Sequence, residues 1–127
     1  MTKDNNMEKV FSTAEDTVWV ECAPGNRRAV LSQRPELMLV AFSFDSGAVG
    51  PLHSHPHTQV SYVAEGEFDV IVNGVTKRLG AGASFIVAPN VIHGVVALEK
   101  GLLIDTFTPF REDFNVGPVE VQGSQNS

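Results

Sequence analysis

Gly50-Pro51-Leu52-His53-Ser54-His55-Pro56-His57-Thr58-Gln59 is the stretch on which this chain turns, because it sets three of the four histidines within five residues. The fourth, His93, lies in a separate apolar region, Val91-Ile92-His93-Gly94-Val95-Val96. Neutral imidazole is a ligand for Zn, Fe, Ni and Cu alike. A His-x-His pair, an oxygen ligand nearby and one remote histidine make the donor set of a mononuclear metal site. Chain geometry sorts the cluster. On one straight strand, residues 55–59 would span roughly 13 Å, whereas two ligands of one ion hold their donor atoms about 3 Å apart. His55 and Gln59 therefore share an ion only if the chain reverses between them, and Pro56 supplies the break. This places His53 and His55 at the end of one element, on one face. A tight reversal follows at 56–58, and Gln59 opens the next strand. His57 sits in the reversal and is read as a polar bystander.

Outward from this stretch, the pattern is nearly all strand. Strands are expected at Val18–Cys22, Arg27–Ser32, Leu37–Phe44, Val60–Ala64, Phe68–Val72, Val75–Leu79, Ser84–Val87, Gly94–Leu98 and Leu102–Thr108. Asn73-Gly74 is a hairpin signal, because both residues tolerate positive φ. Gly47 to Pro51 reads as a break. No segment shows a capped apolar period of 3.6 residues. Short strands at about ten-residue spacing, punctuated by Gly and Pro, predict an all-β sandwich or small barrel. Residues 1–16 read as a flexible N-terminal arm, 17–114 as one domain and 115–127 as a disordered polar tail.

Composition narrows the function. A chain of 127 residues defaults to one domain that needs no disulfide staple. Cys22 is the one cysteine, which excludes an intramolecular disulfide and suits a reducing compartment. The polar start lacks an apolar signal core, and no apolar run is long enough to span a bilayer. A cytoplasmic protein without a membrane partner is expected. The net charge of −6, with no basic run, argues against nucleic acid. An anionic ligand remains compatible if a metal or an arginine supplies local positive charge.

Gly47-x5-His53-x-His55-x3-Gln59-x6-Gly66 resembles the first motif of the cupins, with glutamine in place of the usual glutamate. Gly82-x5-Ala88-x-Asn90-x2-His93-x3-Ala97 resembles the second, more loosely. Its departures fall at backbone positions. The resemblance implies a single-domain jelly-roll (double-stranded β-helix) barrel with a metal inside. Residues 35–114 look like the pectin-degradation cupins of the KdgF type. The likeness is carried by residues 47–57, Gln59-Val60-Ser61-Tyr62-Val63 with Glu65-Gly66-Glu67-Phe68, Pro89-Asn90-Val91 with His93-Gly94-Val95, and Asp105-Thr106-Phe107-Thr108-Pro109 with Arg111-Glu112-Asp113-Phe114. That family opens 4,5-unsaturated uronate monosaccharides from pectin and alginate into linear keto sugars. The resemblance implies one divalent ion (Ni, Zn, Fe, Mn or Co) held by His53, His55, Gln59 and His93. It makes Asp105 and Arg111 the working residues, with Phe107 lining the pocket. Phe110 departs from a proline common there.

The residues suit that chemistry. Opening the hemiacetal frees the C1 aldehyde and leaves an enolate at C5, beside a carboxylate, and protonation at C4 gives a 2-keto acid. The developing charge calls for Lewis-acid stabilisation. Proton movement calls for an acid–base group such as Asp105. The guanidinium fork of Arg111 suits the substrate carboxylate. On a strand, Asp105 shares a face with Leu103 and Phe107, and burial there would raise its pKa. Three histidines and a neutral Gln59 leave a divalent site at +2, which favours an enolate over high-valent iron. Bland readings stand beside these: Gln59 as a plain strand residue, Asp105 facing solvent, Arg111 in surface pairs with Glu112 or Asp113, Phe107 as core, and Trp19 and Tyr62 as packing residues. Three classes stay open: the uronate isomerase, a metal-dependent cupin oxidase or dioxygenase, and a non-catalytic sugar-binding cupin. Exposed sheet edges suggest a homodimer.

Overall fold

The computed structural model describes residues 9–115. It contains ten strands: β1 Val20–Ala23, β2 Asn26–Arg34, β3 Leu37–Phe44, β4 Val49–His53, β5 Thr58–Glu65, β6 Glu67–Val72, β7 Val75–Gly80, β8 Ser84–Val87, β9 His93–Ala97 and β10 Gly101–Thr108. Two 3-10 turns, Ala14–Asp16 and Glu112–Asn115, complete the described residues. The strands form two antiparallel sheets, one in the order β4-β9-β6-β7 and the other β1-β2-β3-β10-β5-β8. This is the expected all-β architecture, one jelly-roll barrel. The expected arm begins outside the described residues, which include only its end from residue 9. The expected tail lies outside them from residue 116.

Alternation builds the core. On β10, Leu103, Asp105 and Phe107 are buried while Leu102, Ile104 and Thr106 are half-buried on the other face. On β3, Met38, Val40, Phe42 and Phe44 point inward, and Val63 of β5 and Phe68 of β6 meet them between the sheets. Phe44 and Phe68 pack edge to face at 5.2 Å, an arrangement that suits the ring quadrupoles. The interior changes character along its length. Towards Phe44 and Phe68 it is apolar, and on the same inner face it ends in Gln59, Ser61, Asp105 and His93.

Backbone requirements are met where the sheets close. Asn73 and Gly74 both take positive φ, at 52° and 81°, in the β6–β7 hairpin predicted from their pairing. Gly66 has φ +85°, and a Cβ there would lie 2.5 Å from the Lys100 carbonyl oxygen. Gly94 is needed for proximity. A Cβ on it would lie 2.8 Å from the Gly50 carbonyl oxygen and 3.1 Å from the Leu52 nitrogen. The bare backbone lets β9 run close along β4, with His93 opposite His53 and a bulge before Val95.

Two expectations are corrected. Residues 49–51, read as part of a break, belong to β4 together with Leu52 and His53. It is an edge strand, where Gly50 and Pro51 are tolerated because one side of an edge needs no ladder bonds. Trp19 and Tyr62, expected to pack, are 44% and 48% exposed. Tyr62 sits on the outward face of β5, directly opposite Ser84, with Val60 and Ile86 paired beside it.

Candidate metal centre

The end of β4, the loop after it and the start of β9 bring His53, His55 and His93 together, with one ligand atom from each lying within 4.8 Å of the others. Metal bonds of about 2.0–2.2 Å place opposed donors about 4.2 Å apart, so a small contraction closes the group on one ion. Backbone carbonyls set two of the rings. His53 Nδ1–H donates to the Pro51 carbonyl at 2.8 Å and His93 Nδ1–H to the Val91 carbonyl at 2.9 Å. Each ring is thereby left with its Nε2 lone pair free, the arrangement common among metal-binding histidines. Burial holds all three below their ordinary pKa, His55 down to about 4. Neutral imidazoles result, the form that binds metals. His57 lies outside this group, its ring 5.3 Å from that of His55 and 6.4 Å from that of Phe107.

Gln59, second residue of β5, reaches into the same space. Its Oε1 lies 3.0 Å from His55 Nε2 and 3.2 Å from His93 Nε2. Its Nε2 donates to Ser61 Oγ at 2.9 Å and to Asp105 Oδ2 at 3.3 Å. Sheet register makes this set. Ser61 follows Gln59 by two on the inner face, and Asp105 stands directly opposite Ser61 on β10. Asp105 is 4% exposed, and burial raises its pKa to about 7 against the lowering effects of the nearby Ser61 hydroxyl and the Arg111 charge. Its Oδ1 is buried and has no hydrogen-bond partner among the described residues.

The donor chemistry fits a cation. His93 donates its one N–H to Val91, and the Gln59 amide nitrogen is committed to Ser61 and Asp105. Two lone pairs, on His93 Nε2 and Gln59 Oε1, therefore face each other at 3.2 Å. With the imidazole kept neutral, a positive ion beside both relieves that opposition.

Arg111 follows β10 and is 5% exposed. Its guanidinium stacks 4.2 Å from the Phe114 ring centroid and 5.2 Å from that of Phe107. Its Nε and Nη2 donate to the two carboxylate oxygens of Asp113 at 3.1 and 2.9 Å. One edge of the fork is thus already occupied, and Nη1 lies on the side away from that pairing. A cavity of ≈ 460 Å³, counted out to its mouth, touches His53, Gln59, His93, Asp105, Phe107 and Arg111, with Phe42 and Phe44 on its apolar wall.

Of the expected site residues, His53, Gln59, His93, Asp105, Phe107 and Arg111 line this cavity, and His55 touches it through Gln59 at 3.0 Å. Sequence reading passed over Ser61, which is fully buried, and treated Asp113 only as a generic ion-pair partner. Strand alternation from Gln59 was the available signal for Ser61. None existed for the fork geometry of Asp113, which depends on the 3-10 turn Glu112–Asn115.

A cupin domain model matches residues 40–104. The pectin degradation protein KdgF of Dickeya dadantii is 41% identical over 102 residues, covering 79% of this chain and 93% of that protein. Among solved structures, an RmlC-like cupin from Shewanella frigidimarina superposes with a TM-score of 0.81 at 51% identity, covering 84% of this chain and 96% of the other. KdgF from Halomonas sp. superposes with a TM-score of 0.79 at 39% identity, covering 84% and 98%.

Proposed function

The chain belongs to the cupin domain family, and within it to the KdgF type, and from that premise we propose that it is a metal-dependent enzyme converting 4,5-unsaturated uronate monosaccharides into linear keto sugars. The observation that carries this reading is the buried Asp105 in the same cavity as the three histidines. A binding module has no use for an acid–base carboxylate there, and its burial is costly without one.

His53, His55, Gln59 and His93 would hold one divalent ion, which supplies Lewis-acid stabilisation of the enolate. Asp105 carries the proton. Through Oδ1, the oxygen not engaged by Gln59, it removes the proton of the C1 hydroxyl as the ring C1–O bond breaks. The electron pair of that bond goes to the C5 oxygen, giving an aldehyde and an enolate. Asp105 then returns the proton to C4, which leaves a 2-keto acid with no net gain or loss of atoms. Arg111 pairs with the substrate carboxylate through the N–H groups that Asp113 leaves available. Phe107, buried beside both, forms an apolar wall and limits water at the reacting atoms.

The ligand set is compatible with Ni, Zn, Fe, Mn or Co, and the substrate with a pectin or alginate origin. The exposed Val60, Tyr62 and Ile86 on the outer sheet face support a homodimer, which light scattering tests. The free Cys22 is in keeping with a cytoplasmic setting. The decisive experiment is NMR of the purified protein with freshly made 4,5-unsaturated uronate. Acceleration over the spontaneous reaction is expected. Loss of substrate at the uncatalysed rate, or oxygen consumption in its place, would refute the isomerase reading.

A further inference from the structure

We propose that Ser61 is a positioning residue: it anchors the Gln59 amide, and that amide in turn holds the metal ligand and the Asp105 carboxylate in one fixed relation. This rests on the reading of Gln59 as a ligand and Asp105 as the acid–base group.

Ser61 is the most enclosed polar residue of the inner face, at 0% exposure. Its Oγ accepts from Gln59 Nε2 at 2.9 Å, and it stands directly opposite Asp105 across the β5–β10 ladder. A hydroxyl can take this bond because its oxygen carries acceptor lone pairs. Alanine would leave the Gln59 amide short of a partner.

The consequence for Gln59 is orientation. With Nε2 tied to Ser61 and Asp105, Oε1 has one direction left, towards His55 and His93. The consequence for Asp105 is a choice of oxygen. Oδ2 is held by the amide, and Oδ1 is turned from that contact. The same arrangement explains why an amide stands where glutamate is usual. A carboxylate at position 59 has no proton to give Ser61 or Asp105, and it would set two acidic groups 3.3 Å apart.

Partners that orient a ligand without touching the metal typically contribute about tenfold to a hundredfold in affinity or activity. The test is Ser61→Ala, with Ser61→Cys as the milder variant that keeps the shape and weakens the hydrogen bonds. Each is loaded with Co(II), and three quantities are read: affinity against a competing chelator, the ligand-field spectrum, and kcat and KM separately. The expected result for Ser61→Ala is a loss of roughly tenfold or more in Co(II) affinity, an altered spectrum and a fall in kcat with KM within about twofold. Ser61→Cys falls between, and carries the test alone if Ser61→Ala does not fold. Parent affinity, spectrum and kcat in a folded variant would overturn the proposal. Asp105→Asn is measured in parallel. Parent turnover in that variant would remove the acid–base reading and leave the affinity and spectrum of Ser61→Ala to decide the role of Ser61.

Discussion

Asp105→Asn is the substitution in which chemistry and stability should part company. Burial lifts the Asp105 carboxyl from its ordinary 3.8 to about 7. Between those values the unfolded chain has lost this proton and the folded protein keeps it. Stability therefore falls as pH rises through that window, and the cost is complete above pH 7. At about 1.4 kcal/mol per pH unit, the full cost is about 4 kcal/mol, most of which accrues above pH 5. Asparagine escapes it: the amide is neutral at every pH, and its oxygen can accept the bond from Gln59 Nε2 that Asp105 Oδ2 accepts now. The metal-free variant should thus be more stable than the parent, by an amount growing by roughly 2–3 kcal/mol between pH 5 and pH 8. Urea denaturation of both metal-free proteins at several pH values measures this directly. Turnover of the metal-loaded variant should be lost while one metal per chain is retained. A stability difference independent of pH would show that Asp105 is not a costly buried acid. Undiminished turnover would remove it from the chemistry.

Other outcomes follow from the same site. His53→Ala and His93→Ala should each lose metal and activity together, as read by elemental analysis and NMR turnover, and full metal stoichiometry in both would refute the shell. Gln59→Glu places a second carboxylate about 3.3 Å from Asp105, a repulsion on the order of 5 kcal/mol at an effective dielectric of 20. The metal-free variant should melt below the parent at pH 8, with the deficit shrinking at pH 5 as a shared proton relieves it. Arg111→Lys forfeits both the paired bonds to Asp113 and the planar stack on Phe114. Its KM should rise by about tenfold, or about 1.4 kcal/mol, with metal content unchanged. Chelation of the parent should abolish turnover, and adding a divalent ion should restore it.

Much of the site was legible because it is local or periodic. The reversal at Pro56 follows from bond lengths and strand rise. The inward face of Asp105 follows from its spacing to Leu103 and Phe107, and β3 and β8 appear at their predicted bounds. What escaped depends on tertiary placement. Gly50-Pro51 reads as a breaker until β4 is seen to be an edge. Tyr62 has the composition of a core residue, yet register turns it outward. Ser61 is an unremarkable hydroxyl in sequence, and only the β5–β10 pairing sets it against Asp105. The occupied edge of the Arg111 fork likewise depends on how the chain turns after β10.

The close passage at Gly94 bears on how related sequences are read. A side chain at that position would have to displace the backbone of Gly50 and Leu52, and so move the strand that carries His53 away from His93. A relative could retain all four donor residues and still be unable to bring them to one point. Competence for metal among such chains is therefore better judged by the four donors together with a glycine after the last histidine. An alanine there predicts a barrel that folds with its histidines apart, a change that no inventory of ligands would detect.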